Sequence, residues 1–260
     1  MRFFRKTIRQ LLAPLSLVLI IAVWELVIRL GNVSPLIMAP PSAIAEALWL
    51  ELTQGTLLAN LLVTLQETAA GFLIAAVLGI GLGSLISEID WVRRVVLPYL
   101  IALQTVPKIA IAPLLVLWFG FGMTSKIIIA AMVAIFPILV NTIEGLGGTD
   151  RNRIDMVVAA CGSRWQVFRI VKFPSALPFI FAGLNAGIVL ALLGAVVGEF
   201  IGANAGVGNL IMTANFRMDI ATMFAVLVVL GVVGFALHLI LAALQRRIVF
   251  WQKPIRVIEE

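Results

Sequence analysis

Long apolar runs alternate with short polar stretches along this chain. The runs occupy roughly residues 12–30, 57–87, 95–119, 125–146, 176–201 and 220–244. A helix rises about 1.5 Å per residue, so about 20 apolar residues cross the hydrocarbon core of a bilayer. Each run therefore predicts one transmembrane helix, and the whole predicts an all-α membrane protein with six transmembrane helices. The second run exceeds a single crossing and predicts a tilted or protruding helix.

The breaks between runs agree with this division. Pro35, Pro40 and Pro41 end the first run, and Ser42 is placed to cap a short helix reaching Leu52 whose Glu46 and Glu51 face water. "WFGFG" at 118–122 sets aromatic residues at an interface and glycines in a turn. The opening "MRFFRKTIRQ" precedes an apolar run, as in a signal peptide, but no small-x-small cleavage pattern follows and the run is long enough to stay as a first span. No internal repeat or linker divides the sequence, so residues 1–260 read as a single transmembrane domain.

Composition supports the membrane class. Hydrophobic residues make up 62% of the chain and charged residues 12%, and mean hydropathy is +1.12; soluble domains are about 45–50% apolar and about 25% charged. The net charge of +6 suggests nucleic acid until the basic residues are placed on the topology. Arg2, Arg5, Lys6 and Arg9 precede the first span, Arg93 and Arg94 follow the second, Arg151, Arg153, Arg164, Arg169 and Lys172 lie between the fourth and fifth, and Arg246, Arg247, Lys253 and Arg256 follow the sixth. One face of the membrane thus receives 15 of the 19 basic residues. The positive-inside rule makes that face cytoplasmic, with both termini inside, and no nucleic-acid partner is needed to explain the charge. One cysteine, Cys161, excludes an intramolecular disulfide.

The longest cytoplasmic segment, about 147–174, is the polar exception in this chain. Gly147 and Gly148 end the fourth span, Thr149 or Asp150 is placed to cap a new helix, and Pro174 and Pro178 start the fifth span. Apolar residues at 154, 157, 158 and 161, then 165, 168 and 171, describe an amphipathic helix interrupted near Gly162 and Ser163. Spacing alone leaves two readings open: an interfacial helix on anionic lipid, or a docking site for a cytoplasmic partner.

This segment resembles the EAA loop in the membrane subunits of binding-protein-dependent ABC importers. That motif reads Glu-Ala-Ala, three residues, Gly, nine residues, an aliphatic, one residue, Leu-Pro. Counting back from Pro174 puts Asp155 at the Glu, Cys161 at the Gly, Val171 at the aliphatic and Phe173 at the Leu. Asp155, Met156, Val157 and Cys161 depart from the signature letters while the spacing is kept. "SRWQVFR" at 163–169, "TLQETAAGFLIAAVLGIGLG" at 64–83, "PLLVLWFGFGMTSKIIIA" at 113–130, "FPILVNTIEGL" at 136–146 and "GAVVGEFIGANAGVGNLI" at 194–211 extend the likeness to permeases of the nitrate, sulfonate and taurine type, over roughly residues 15–250. The resemblance implies a type I ABC importer permease fold in a bacterial inner membrane, with a coupling helix between spans four and five. It implies two copies of an ABC ATPase that bind ATP and magnesium, a periplasmic or lipid-anchored solute-binding protein, and a permease homodimer. It assigns ATPase coupling to Asp155, Val158, Cys161, Gly162, Ser163, Arg164 and Trp165. At Glu67, sulfonate-type relatives often carry Arg; with "QTVPKIAIAP", this looks like the branch that carries thiamine-precursor pyrimidines, riboflavin-like compounds or aromatic acids.

The remaining chemistry is sparse. No Gly-x-x-x-x-Gly-Lys-Ser/Thr pattern occurs, so no ATP site and no bound cofactor are expected in this chain. His238 is the sole histidine and stands without a catalytic constellation, which disfavours a membrane enzyme. A self-sufficient carrier or channel of the same topology remains the alternative. Pro107 and Pro113 interrupt the third span, and broken helices at membrane depth line cavities or are covered by protein. Gln104, Thr105, Pro107 and Lys108 are therefore candidates for the translocation path, against a reading in which the proline kinks merely pack and Lys108 reaches an acidic partner. Glu199, opening an outer turn, is the fifth candidate, facing substrate or the binding protein. Glu67 and Glu144 are expected to face protein or water, and Gly71, Gly79, Gly81 and Gly83 to mark close helix crossings, within a subunit or across a dimer.

Overall fold

A computed structural model describes residues 2–251, with side chains from Leu15 onward except that of Asp90. The side chains of Arg2, Arg5, Lys6 and Arg9, and the whole of Lys253 and Arg256, lie outside the described residues. Every described element is helical: α1 (Arg2–Leu30), α2 (Pro41–Thr53), α3 (Leu57–Glu88), α4 (Asp90–Thr105), a 3-10 turn (Lys108–Ile111), α5 (Ala112–Phe119), α6 (Met123–Gly147), α7 (Arg151–Ala159), α8 (Arg164–Gln166), a π segment (Val167–Lys172), α9 (Phe173–Phe200), α10 (Val207–Phe216) and α11 (Ile220–Ile248). Among the described residues, four helices are long and apolar enough to cross a membrane: Leu57–Glu88, Met123–Gly147, Arg164–Phe200 and Ile220–Ile248. The pair Trp91–Thr105 and Lys108–Phe119, bent by 75°, makes a fifth if counted as one broken span.

The core is built where α3, α6 and α9 cross. Ala75 of α3, Ala130, Ala134 and Ile138 of α6, and Ala191 and Ala195 of α9 are buried together. Small residues at the crossings replace the hydrophobic drive that lipid removes, because they allow backbones to approach and van der Waals contact to accumulate. A Cβ at Gly79 would stand 2.8 Å from Ile138 Cγ2, and one at Gly83 would stand 2.8 Å from Thr142 Cβ, whereas one at Gly81 would meet nothing within 4 Å. Gly71, Gly79 and Gly83 thus form the crossing stripe within the subunit, and Gly81 takes no part in it. Gly79→Leu is expected to destabilise the fold by about 1–3 kcal/mol through overpacking, read as a lower Tm in detergent, while Gly81→Leu leaves Tm unchanged.

The break expected in the third span is present, at Pro107 and not at Pro113. Val106 is extended (φ −66°, ψ 129°), as the residue before a proline prefers, and the chain turns sharply there. Pro113 lies in the first turn of α5, where its missing N–H costs nothing. The fifth span does not start at Pro174 or Pro178: helix runs from Arg164 through the π segment into α9, with Pro174 in the first turn of α9 and Pro178 inside it. The wider π turn lies just before Pro174, where an α turn would drive the ring into the carbonyl four residues back. Ser42 does not cap α2. Its N–H and hydroxyl both donate to the Glu25 carboxylate of α1, at 3.0 Å and 2.8 Å. Glu46 is exposed, but Glu51 is half-buried.

Candidate functional site

The polar segment at 147–174 folds as a helix–turn–helix. Asp150 caps α7 by accepting from the Asn152 N–H at 3.0 Å. At the other end Cys161 N–H donates to Val158 O and Gly162 N–H to Val157 O, both at 2.9 Å. This double closure ends a helix with one residue in the left-handed region, and Cys161 is that residue, at φ +60°. The position that the EAA spacing gives to glycine is therefore one whose backbone favours glycine. A Cβ on Gly162 would clash with Val157. Ser163 then starts α8 with a capping box: its N–H donates to Gln166 Oε1 at 2.7 Å, and Gln166 N–H donates to Ser163 Oγ at 3.3 Å.

The two helices expose a mixed face. Val158 is 55% exposed, Met156 71% and Trp165 64%; Asp155, Cys161 and Arg164 are also exposed. Ile154 and Val157 are half-buried, so they do not share one open face with Val158 and Cys161. Val157 lines a cavity with Ile170, Val171 and Pro174, and α7 packs on the π segment. Trp165 stacks on Phe168 with centroids 5.6 Å apart, and Lys172 Nζ donates to Glu88 Oε1 of α3 at 2.8 Å. The exposed face is thus joined to α3 and α9 by direct contacts.

The second candidate lies at the break in the third span. Gln104, Thr105 and Pro107 are exposed and Lys108 is half-buried. The Lys108 ammonium donates to the Gln104 carbonyl at 3.1 Å and stands 4.5 Å from the Phe136 ring centroid of α6. The chain leaves the helix after Thr105, so Gln104 O lacks its helical donor and the ammonium takes that place. The cation also sits at the negative end of the α4 dipole and against an aromatic face. No acidic side chain within 4.0 Å of Lys108 is seen among the described residues, which corrects the reading that gave it an acidic partner. Phe136 carried no sequence signal beyond being one more apolar residue.

Glu199 is corrected from a candidate open to substrate. It is 1% exposed, and it organises the turn between α9 and α10. Its Oε1 accepts from Thr64 Oγ1 of α3 and its Oε2 from Gly208 N–H, both at 2.6 Å. Thr64 Oγ1 accepts in turn from Val207 N–H at 2.8 Å, and Asn60 Oδ1 accepts from Gly206 N–H at 2.7 Å. The free amides at the start of α10 are thus met by α3 and α9. Gly206, at φ +111°, leaves the space that the Glu199 carboxylate fills. Glu67 is buried at 1% exposure, 4.0 Å from Lys126 Nζ of α6, while Glu144 is exposed. Lys126 was not singled out from sequence, although a lone lysine in the first turn of an apolar helix, facing an unmatched intramembrane glutamate, is a readable signal.

Residues 75–250 match the family described as binding-protein-dependent transport system inner membrane component. The riboflavin transport system permease protein RibX of Chloroflexus aurantiacus is 35% identical over 239 residues, covering 92% of this chain and 89% of that protein. The formylaminopyrimidine transport permease protein ThiX of Halalkalibacterium halodurans is 34% identical over 231 residues, covering 87% and 92%. A solved structure of the MetNI methionine ABC transporter in inward-facing form superposes with a TM-score of 0.66 at 19% identity, covering 76% of this chain and 98% of that one; it shares the fold. The chain belongs to the family of binding-protein-dependent transport system inner membrane components, the multi-pass permease subunits of ABC transporters.

Proposed function

We propose that this chain, as one permease domain over 1–260, forms six spans: α1, α3, the bent α4–α5 pair, α6, the continuous helix 164–200, and α11. Both termini are cytoplasmic. Two copies assemble with two ABC ATPase subunits, which hold the ATP and magnesium, and receive solute from an external binding protein. The segment α7–α8 is the coupling helix, gripped by the ATPase through Asp155, Val158, Cys161, Gly162, Ser163, Arg164 and Trp165. The observation that carries this reading is the left-handed Cys161 closure followed by the Ser163 capping box, which presents that face rigidly. ATP-driven closure of the ATPases moves the coupling helices and shifts the permease between inward and outward states, and differential affinity of the loaded binding protein biases that shift. The names of RibX and ThiX favour a small heteroaromatic solute, and Gln104, Thr105, Pro107 and Lys108 line its path.

Reconstitution tests the division of labour. The purified chain alone is expected to hydrolyse no ATP, and hydrolysis is expected to rise when loaded binding protein is added to the chain with its ATPase in lipid. Uptake driven by an ion gradient with no ATPase present would establish the self-sufficient carrier instead.

A further inference from the structure

Two buried carboxyl groups share one end of the bundle. Glu67 projects from α3 and Glu199 from the end of α9, each 1% exposed; Thr64, one turn before Glu67 among the buried residues of α3, donates to the Glu199 carboxylate at 2.6 Å, which brings the two acids side by side. Among the described residues, one cation stands beside Glu67. Lys126 of α6 stands 4.0 Å from Glu67 Oε1 and spends hydrogens on the Phe121 and Gly122 carbonyls at 3.0 Å and 3.3 Å. Neither α5 nor α10 carries a titratable side chain, Glu88 and Glu144 lie at the opposite ends of α3 and α6, and His238 of α11 is exposed. With both carboxyls ionised the cluster carries one uncompensated negative charge away from water, which is costly.

Hydrogen-bond accounting locates the missing hydrogen. Both Glu199 oxygens accept from protein donors, Thr64 Oγ1 and Gly208 N–H. Glu67 Oε2 is buried and has no donor, and neither does the buried Thr68 hydroxyl one residue along. Two carboxylate oxygens in contact repel, and one hydrogen between them turns the contact into a charge-assisted bond. We propose that Glu67 and Glu199 form a proton-binding site that holds one proton, carried on Glu67 and donated to the Glu199 carboxylate, with Lys126 neutralising the remaining charge. The proton then latches α3 to the end of α9, and through Thr64 and Gly208 to the start of α10. Its loss sets two anions against each other and loosens the turn at 201–207. This site is separate from the coupling helix and from the Lys108 break, so it stands or falls independently of the transport reading.

Infrared difference spectroscopy of the full chain in lipid nanodiscs reads this directly, through the carbonyl stretch of a protonated carboxyl. At neutral pH the unmodified chain is expected to show one such buried acid, lost on raising the pH and absent from Glu67→Gln, whose amide N–H supplies the same bond to Glu199. Lys126→Gln removes the balancing cation and is expected to add a second protonated carboxyl. The absence of any protonated carboxyl in the unmodified chain at neutral pH overturns the assignment without recourse to a variant. So does a band that is unchanged in Glu67→Gln.

Discussion

Cys161→Trp is expected to abolish ATP-coupled uptake while the membrane helices still fold. Cys161 is exposed at the tip of the turn between α7 and α8, on the face assigned to the ATPase. An indole there disrupts a closely packed contact centre, and losses of about 2 kcal/mol or more are usual for such positions, roughly a 30-fold weaker association. Cys161→Gly has the opposite sign. At φ +60° a side chain costs about 1–2 kcal/mol, so glycine relieves the turn and uptake is expected to be kept or improved. The pair separates backbone from contact: a turn that were merely a connector would tolerate both. Uptake and hydrolysis measured side by side for the two variants check this, and Trp at 161 leaving both unchanged contradicts the docking assignment.

Lys108→Ala is expected to reduce uptake more than it reduces assembly. The ammonium is held by the Gln104 carbonyl and the Phe136 ring, not by a carboxylate, so its charge remains available to an anionic or electron-rich aromatic solute. Hydrogen bonds to charged groups contribute about 1.5–3 kcal/mol, which predicts a fall in uptake of roughly 10- to 100-fold. Lys108→Arg keeps the cation and its affinity for an aromatic face, and is expected to retain part of the activity. Normal uptake by Lys108→Ala at equal expression would reduce Lys108 to a cap on α4.

The long apolar runs were readable because lipid imposes a length. The run at 57–87 became Leu57–Glu88, that at 125–146 became Met123–Gly147, and that at 220–244 became Ile220–Ile248. Prolines were less readable. Pro98, Pro137 and Pro178 lie inside helices, while Pro107 marks a 75° bend, and proline alone does not tell the two outcomes apart. The interruption at Gly162 and Ser163 is legible, because glycine and serine there follow local turn and capping rules, whereas Cys161, which the apolar spacing puts in the helix, lies in the turn. The packing of α7 on the π segment, which leaves Val157 half-buried, is not legible, since amphipathic spacing names an apolar face without naming its partner. Glu199 was misjudged for the same reason: its partner Thr64 stands 135 positions away, and no periodicity connects the two.

Thiol labelling of Cys161 tests the central claim, that a separate ATPase drives the membrane helices through this one polar segment. As the chain's only cysteine, it reports without engineering. In lipid, the permease alone is expected to label readily, and the complex assembled with its ATPase is expected to be protected, with a cysteine in the ATPase groove cross-linking to it. Protection by lipid alone, or labelling indifferent to an ATPase shown to be bound, would contradict the account.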